Sequence, residues 1–209
     1  REETSLLVDV GTNAEVLVGN RHWLMACAGA AGPALEGDAA RIGMPAGPGA
    51  IDRIRILPDT KQFEIHTIDE KPPKGICGSG LIDLAAQLFS AGMIDARGKF
   101  VETECRGLLR ETDGVRHLVV APGTDALKGK PLTLSQIDLD SLIRAKAAMY
   151  TILCTITGTL GIDFQEIATF YVAGTFGECI NPESAIRIGM LPDIPRSRFV
   201  SIGNSSLEG

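Results

Sequence analysis

Leu6-Leu7-Val8-Asp9-Val10 is an apolar run carrying one aspartate, and Gly11-Thr12-Asn13 ends it before a second apolar run starts at Ala14. A strand that must turn back at once takes its sequence neighbour as an antiparallel partner. The pattern predicts strands at 6–10, 14–18 and 23–27 in a meander, closed by Gly11-Thr12-Asn13 and by a short turn containing Gly19-Asn20. The first turn also gathers a carboxylate, a hydroxyl and backbone N–H groups at the sheet edge, where a metal-bound phosphate can dock.

Beyond the meander, 28–49 is rich in Gly, Ala and Pro, and Pro33 suits the first turn of a short helix. Strands are predicted at 51–57 and 63–68 around Pro58-Asp59-Thr60, as a peripheral hairpin. Gly75-Ile76-Cys77-Gly78-Ser79-Gly80 leads into Leu81, Ile82, Leu84, Ala85, Leu88 and Phe89, whose spacing describes a helix ending near Gly92. Turn signals dominate 95–130, with one clear strand at 117–121. From 135 to 160, Leu139, Leu142, Ile143, Ala147, Tyr150, Leu153 and Ile156 recur at helical spacing, with Ser135 and Asp138 as the cap. A strand at 170–173 then runs into Gly174-Thr175-Phe176-Gly177. Asn181-Pro182-Glu183 reads as an N-cap, a proline at the first helical position and an acidic first turn, followed by a short helix to 190. A last strand covers 199–202, before Gly203-Asn204-Ser205-Ser206.

The 209 residues, 44% hydrophobic, suffice for a sizeable core and are read as one domain. A net charge of -6 without a basic run argues against nucleic acid as partner. No apolar stretch reaches the roughly 20 residues a spanning helix needs, so no membrane association is expected. Cys27, Cys77, Cys105, Cys154 and Cys179 are scattered, without C-x-x-C spacing. That usage fits free, mostly buried thiols in a reducing compartment, and the protein is read as cytoplasmic. His22, His66 and His117 stand apart from one another and read as surface or strand residues. A chain that starts at Arg1, just before an apolar strand, reads as a piece of a longer protein.

The blocks LLVDVGTNAEVLVG, AAGPALEG, GICGSGLID, LIRAKAAMY, FYVAGTFG, NPESAIRIGMLPD and IGNSSL occur in that order. Together they resemble the C-terminal ATPase region of the reductive activators of corrinoid proteins, a family within the acetate and sugar kinase, heat-shock chaperone and actin superfamily. The resemblance covers nearly the whole chain. It implies an α/β fold, a ribonuclease H-like lobe of an actin-like ATPase. Its mixed sheet opens with the antiparallel three-stranded meander and carries helices packed on it. The lobe would occupy 1–209, with peripheral β insertions near 51–70 and 95–130.

The resemblance also implies ATP and Mg2+ as cofactors. Asp9 would be the catalytic and metal residue, holding Mg2+ through water or orienting the attacking water. Gly11, Thr12 and Asn13 would bind the β- and γ-phosphates as a second phosphate loop. Gly174, Thr175, Phe176 and Gly177 would form the adenosine loop. Gly32 and Glu36 would join the cofactor-binding set, with Glu36 toward ribose or Mg2+, although an acid early in a helix is more often a cap. Relatives carry two consecutive glycines in the adenosine loop, whereas the Cβ of Thr175 narrows the approach of a base. No second D-x-G-T hairpin occurs, so half a nucleotide site is expected, with weak or absent ATP affinity for this chain alone. Lys146 is a further candidate to reach a nucleotide, against the commoner reading of a lysine snorkelling from a packed helix. The Gly78-Ser79-Gly80 helix start is a candidate anion site, against close packing as the plainer role of its glycines.

In function, the resemblance implies an ATP-dependent return of Co(II) corrinoid to Co(I) on a partner. That partner would be a corrinoid protein or corrinoid-dependent methyltransferase. The electron would come from a [2Fe-2S] cluster in an iron-sulfur domain outside this chain. A homodimer is a further candidate assembly. The competing readings are a small-metabolite kinase lobe, and a docking or dimerisation module whose nucleotide site has decayed.

Overall fold

The computed structural model describes residues 2–11, 13–29, 41–124, 126, 129–174 and 180–203. Its strands, in chain order, are β1 (Ser5–Val10), β2 (Ala14–Asn20), β3 (Trp23–Gly29), β4 (Ala50–Ile56), β5 (Phe63–Thr67) and β6 (Gly75–Ile76). These are followed by β7 (Leu109–Thr112), β8 (Val115–Ala121), β9 (Leu132–Ser135), β10 (Thr169–Ala173) and β11 (Phe199–Ser201). The helices are α1 (Gly78–Ser90), α2 (Gln136–Leu160) and α3 (Pro182–Arg187). The chain divides into two compact units, Arg1–Pro33 with Ala145–Gly209, and Ala34–Arg144.

The first unit is built on a five-stranded sheet in the order β11-β10-β1-β2-β3. β1, β2 and β3 form the antiparallel meander, while β10 runs parallel to β1 and β11 parallel to β10. Parallel pairs require long crossovers, and β10 reaches β1 from more than 150 residues away in sequence. Register puts Leu6 beside Val18 and Phe170, and Val8 beside Val16 and Val172, so one face of the sheet is a continuous apolar layer. All six are buried. Phe170 packs on Phe199 with ring centroids 5.0 Å apart. Gly29 leaves room for Ile152 of α2, whose Cδ1 a Cβ there would strike.

Three sequence expectations change in this unit. The β2–β3 turn is Arg21-His22, not Gly19-Asn20, which are paired strand residues. Gly19 is needed for close approach, since a Cβ there would collide with the Trp23 carbonyl and the Leu24 backbone, and Asn20 Oδ1 accepts from the His22 amide at 3.0 Å. Along α2 the buried positions include Met149, Leu153 and Ile156, whereas Ala147 and Tyr150 are exposed, with Tyr150 packing on Phe164. Cys154 is exposed too, against the expectation of mostly buried thiols.

The second unit holds two three-stranded sheets, β5-β4-β6 and β7-β8-β9. The hairpin expected near 51–68 forms, and β4 is the central strand of its sheet. α1 lies across it, and a Cβ on Gly80 would strike the Ile51 carbonyl, so that glycine serves close packing. β6 pairs with only the first two residues of β4. Further along, the Ile54 amide donates to Asp83 Oδ2 at 2.8 Å and the Ile56 amide to Gln87 Oε1 at 3.2 Å. Asp83 and Gln87, one helical turn apart, thus satisfy alternate strand amides that would otherwise be buried unpaired. Buried Lys61 donates from Nζ to the Ala91 carbonyl at 2.6 Å, a cation at the C-terminal end of α1.

α2 begins with the expected capping box. The Asp138 amide donates to Ser135 Oγ at 3.0 Å, while the Ser135 amide donates to Asp138 Oδ2 at the same length. A small β element is expected in 95–130 with one legible strand, β8; the sheet found, β7-β8-β9, runs past that range because β9 is Leu132–Ser135. Burial pushes the Cys105 thiol up to about 11.

Candidate functional site

β1 and β10 end side by side, with Asp9 in register with Ala173. Because the strands are parallel, both deliver their next residues to the same edge of the sheet. Ligands of open α/β sheets gather at such carboxyl ends. Asp9 is half-buried there, and its neighbour across the strand boundary is Gly174.

Gly174 has φ +85°, in the left-handed region where L side chains are strained. A Cβ on it would lie 2.5 Å from Asp9 Oδ1 and 2.6 Å from the Val10 carbonyl oxygen. Only glycine lets β10 turn away against that carboxylate. The Gly174 amide donates to the Gly203 carbonyl at 2.9 Å, and the Ile202 amide to the Val172 carbonyl at 3.0 Å, so the end of β11 is tied to the same edge. Sequence reasoning assigned Gly203 only to a turn. Its φ of +66° marks that turn, but no local pattern reveals which amide its carbonyl accepts.

On the other side of Asp9, the Gly11 amide donates to the Asn13 carbonyl at 2.9 Å, so this N–H is spent within the turn. A Cβ on Gly11 would meet nothing nearer than 4.0 Å, and both Gly11 and Asn13 are exposed. The turn therefore offers an open backbone flank beside the carboxylate. Of the expected site residues, the structure brings together Asp9, Gly11, Asn13 and Gly174. Thr12, Gly32, Glu36, Thr175, Phe176 and Gly177 lie outside the described residues. Within the same unit, the Lys146 amine sits against the Gly189 backbone, 3.5 Å from where a Cβ would be. Cys77 is buried at the N-cap of α1, with Sγ 3.2 Å from Ser79 Oγ.

The donor set bears on a cation. Among the described residues no group of three or more His, Cys, Asp or Glu side chains could hold a metal ion. A single carboxylate beside an open turn suits Mg2+, which keeps most of its waters and is bound through one or two carboxylates together with substrate phosphates.

Comparison with known proteins agrees with this architecture. A solved structure, a reductive activator for corrinoid, iron-sulfur protein, superposes with a TM-score of 0.94 at 40% identity, covering 100% of this chain and 33% of that one. The fold is thus that of the acetate and sugar kinase, heat-shock chaperone and actin (ASKHA) class. The corrinoid activation enzyme RamQ of Eubacterium limosum is 33% identical over 98% of this chain and 35% of its own length. The [Co(II) methylated amine-specific corrinoid protein] reductase of Methanosarcina barkeri is 26% identical over 98% of this chain and 38% of its own. The family model of the C-terminal domain of RACo, the ASKHA domain, matches residues 3–209, and the chain belongs to that family. It spans about a third of the length of the relatives it matches.

Proposed function

We propose that this chain is the nucleotide-responsive lobe of a protein that uses ATP to return Co(II) corrinoid on a partner protein to Co(I). The observation that carries the reading is the meeting of Asp9 and Gly174 at the carboxyl ends of two parallel strands. Their contact is so close that a single methyl group on Gly174 would displace the carboxylate. Membership of a family whose relatives are named for corrinoid activation supplies the substrate class.

In this reading Asp9 would hold Mg2+ through water or orient the attacking water, and Gly11, Thr12 and Asn13 would bind the β- and γ-phosphates. Gly174, with Thr175, Phe176 and Gly177, would form the adenosine loop, and Glu36 would serve ribose or Mg2+, with Gly32 in the same cofactor-binding set. When bound, MgATP supplies the binding and hydrolysis energy that favours one docking geometry with the corrinoid partner. A [2Fe-2S] domain outside this chain would supply the one electron that takes cobalt from Co(II) to Co(I). The pairing of β1 with β10 fixes the Asp9 backbone at the sheet edge, a preorganisation that would serve phosphoryl chemistry there. The scattered cysteines go with a reducing cytoplasm.

The test uses the full-length protein with its corrinoid partner and a low-potential electron donor, following the Co(II) absorbance with and without MgATP. ATP-dependent loss of the Co(II) band is expected, and Asp9→Asn lowers its rate at least a hundredfold while leaving the fold intact. Full ATP-dependent reduction in Asp9→Asn would overturn the assignment of Asp9. Phosphorylation of a small metabolite in place of cobalt reduction would overturn the reaction.

A further inference from the structure

The second unit carries a cleft that the nucleotide reading does not use. It has a volume of about 950 Å³ and opens over one face of the β7-β8-β9 sheet and the first turns of α2. Alternation along β8 sends Leu118 and Val120 into the core and leaves Val115, His117 and Val119 to floor the cleft. Register then assembles a row across the three strands, with Arg110 opposite His117 and His117 opposite Ser135. Residues directly opposite in such a ladder hold their Cβ atoms about 5 Å apart, so a single small group can touch more than one of them.

The cleft holds charged groups of both signs. Two acids line it, Asp113 and Asp138. Asp138 is buried, and its carboxylate already accepts from the Arg41 amide at 2.9 Å, the Ser135 amide at 3.0 Å and Ser135 Oγ at 2.7 Å. Those donors fix the carboxylate at the start of α2. The guanidiniums of Arg41 and Arg110 are exposed at the rim. Arg110 Nη1 donates to the Gly107 and Leu109 carbonyls at 2.5 and 2.8 Å, and its remaining N–H groups bond to no described residue. Two carbonyls thus orient a guanidinium whose free donors a carboxylate or phosphate fits in a fork. Val115, Val119 and Ile137, the last 58% exposed, add an apolar wall.

We propose that this cleft binds a small organic anion, a molecule with a phosphate or carboxylate group held by Arg110, Arg41 and His117 and an apolar body laid on Val115, Val119 and Ile137. Its volume is that of sites for compounds of cofactor or metabolite size. The site is made by the second unit alone and stands whether or not the nucleotide reading holds.

The test is titration of the 209-residue chain with phenyl phosphate, read by amide and side-chain NMR. Saturable shifts are expected at Arg110, Val115, His117, Val119 and Thr133, with inorganic phosphate binding more weakly at the same residues and benzyl alcohol not saturating. Arg110→Gln weakens phenyl phosphate at least tenfold while its amide spectrum stays native. Arg41→Gln shows the same direction and serves should the first variant misfold. Shifts confined to residues 9–13, or undiminished affinity in both folded variants, would overturn the proposal. So would a hexaglutamate peptide saturating the cleft where phenyl phosphate does not, which would make the occupant an acidic protein segment.

Discussion

In the first unit a carboxylate is placed by backbone. Asp9 stands where it does because β1 pairs with β10 and because Gly174 has no side chain to push it away. In the second unit the order is reversed, and side chains complete the backbone. Asp83 and Gln87 take amides that β6 is too short to reach, Lys61 closes the end of α1, and Asp138 closes the start of α2. Strand placement sets a carboxylate at the edge of a sheet, whereas side-chain completion turns carboxylates inward onto backbone amides. The carboxylates of Asp83 and Asp138 are therefore poor candidates for chemistry despite their burial.

The sharpest way to break this contrast is a pair of alanines. Gly174→Ala should cost about 3 kcal/mol or more, since it combines a strained φ with contact on Asp9 and Val10, and urea unfolding measures it. Gly92→Ala, with φ +69° but nothing within 4 Å, should cost only about 1 kcal/mol of backbone strain. Equal losses would mean that the approach of Gly174 to Asp9 matters less than its dihedral. Next in size, Asp83→Ala should lose about 2 kcal/mol by leaving the Ile54 amide buried without its acceptor, and hydrogen exchange at Ile54 should quicken in step. Ser135→Ala should cost about 1 kcal/mol, with helicity lost at the start of α2.

The smallest effect is chemical. Because burial raises the Cys105 thiol to about 11, it stays protonated at pH 8. Iodoacetamide should label exposed Cys154 well before Cys105 in the folded chain, as peptide mapping would show. Equal labelling would indicate that the second unit opens readily.

What the sequence disclosed was local. The meander, the capping box of Ser135 and Asp138 and the Asn181-Pro182-Glu183 helix start are each written within a few neighbouring residues, and each forms as expected. What depended on distant partners was hidden. Gly19-Asn20 looks like a turn because nothing nearby says that Trp23 and Leu24 will press on Gly19. Tyr150 fits helical spacing as well as Met149 does, and only the packed structure shows that Met149 faces the core. β7, Leu-Arg-Glu-Thr, is too polar for a periodic signal, and β9, Leu-Thr-Leu-Ser, alternates over only four residues. At the site, Asp9 and Gly174 can each be named from a strand running into a turn, but their contact and the acceptor role of Gly203 arise from pairing across the chain.

The pairing of β1 with β10 also sets a clock. At about 5–20 residues per second, a ribosome takes roughly ten to thirty seconds to go from the first of these strands to the second. Throughout that interval β1 has only β2 beside it, and its other edge, rich in leucine and valine, lies open to any strand that comes near. The acid at its end is made about 165 residues before Gly174, and it acquires that glycine neighbour only once β10 has emerged. Nascent chains arrested before residue 169 should therefore be the aggregation-prone ones, the hazard ending as β10 docks.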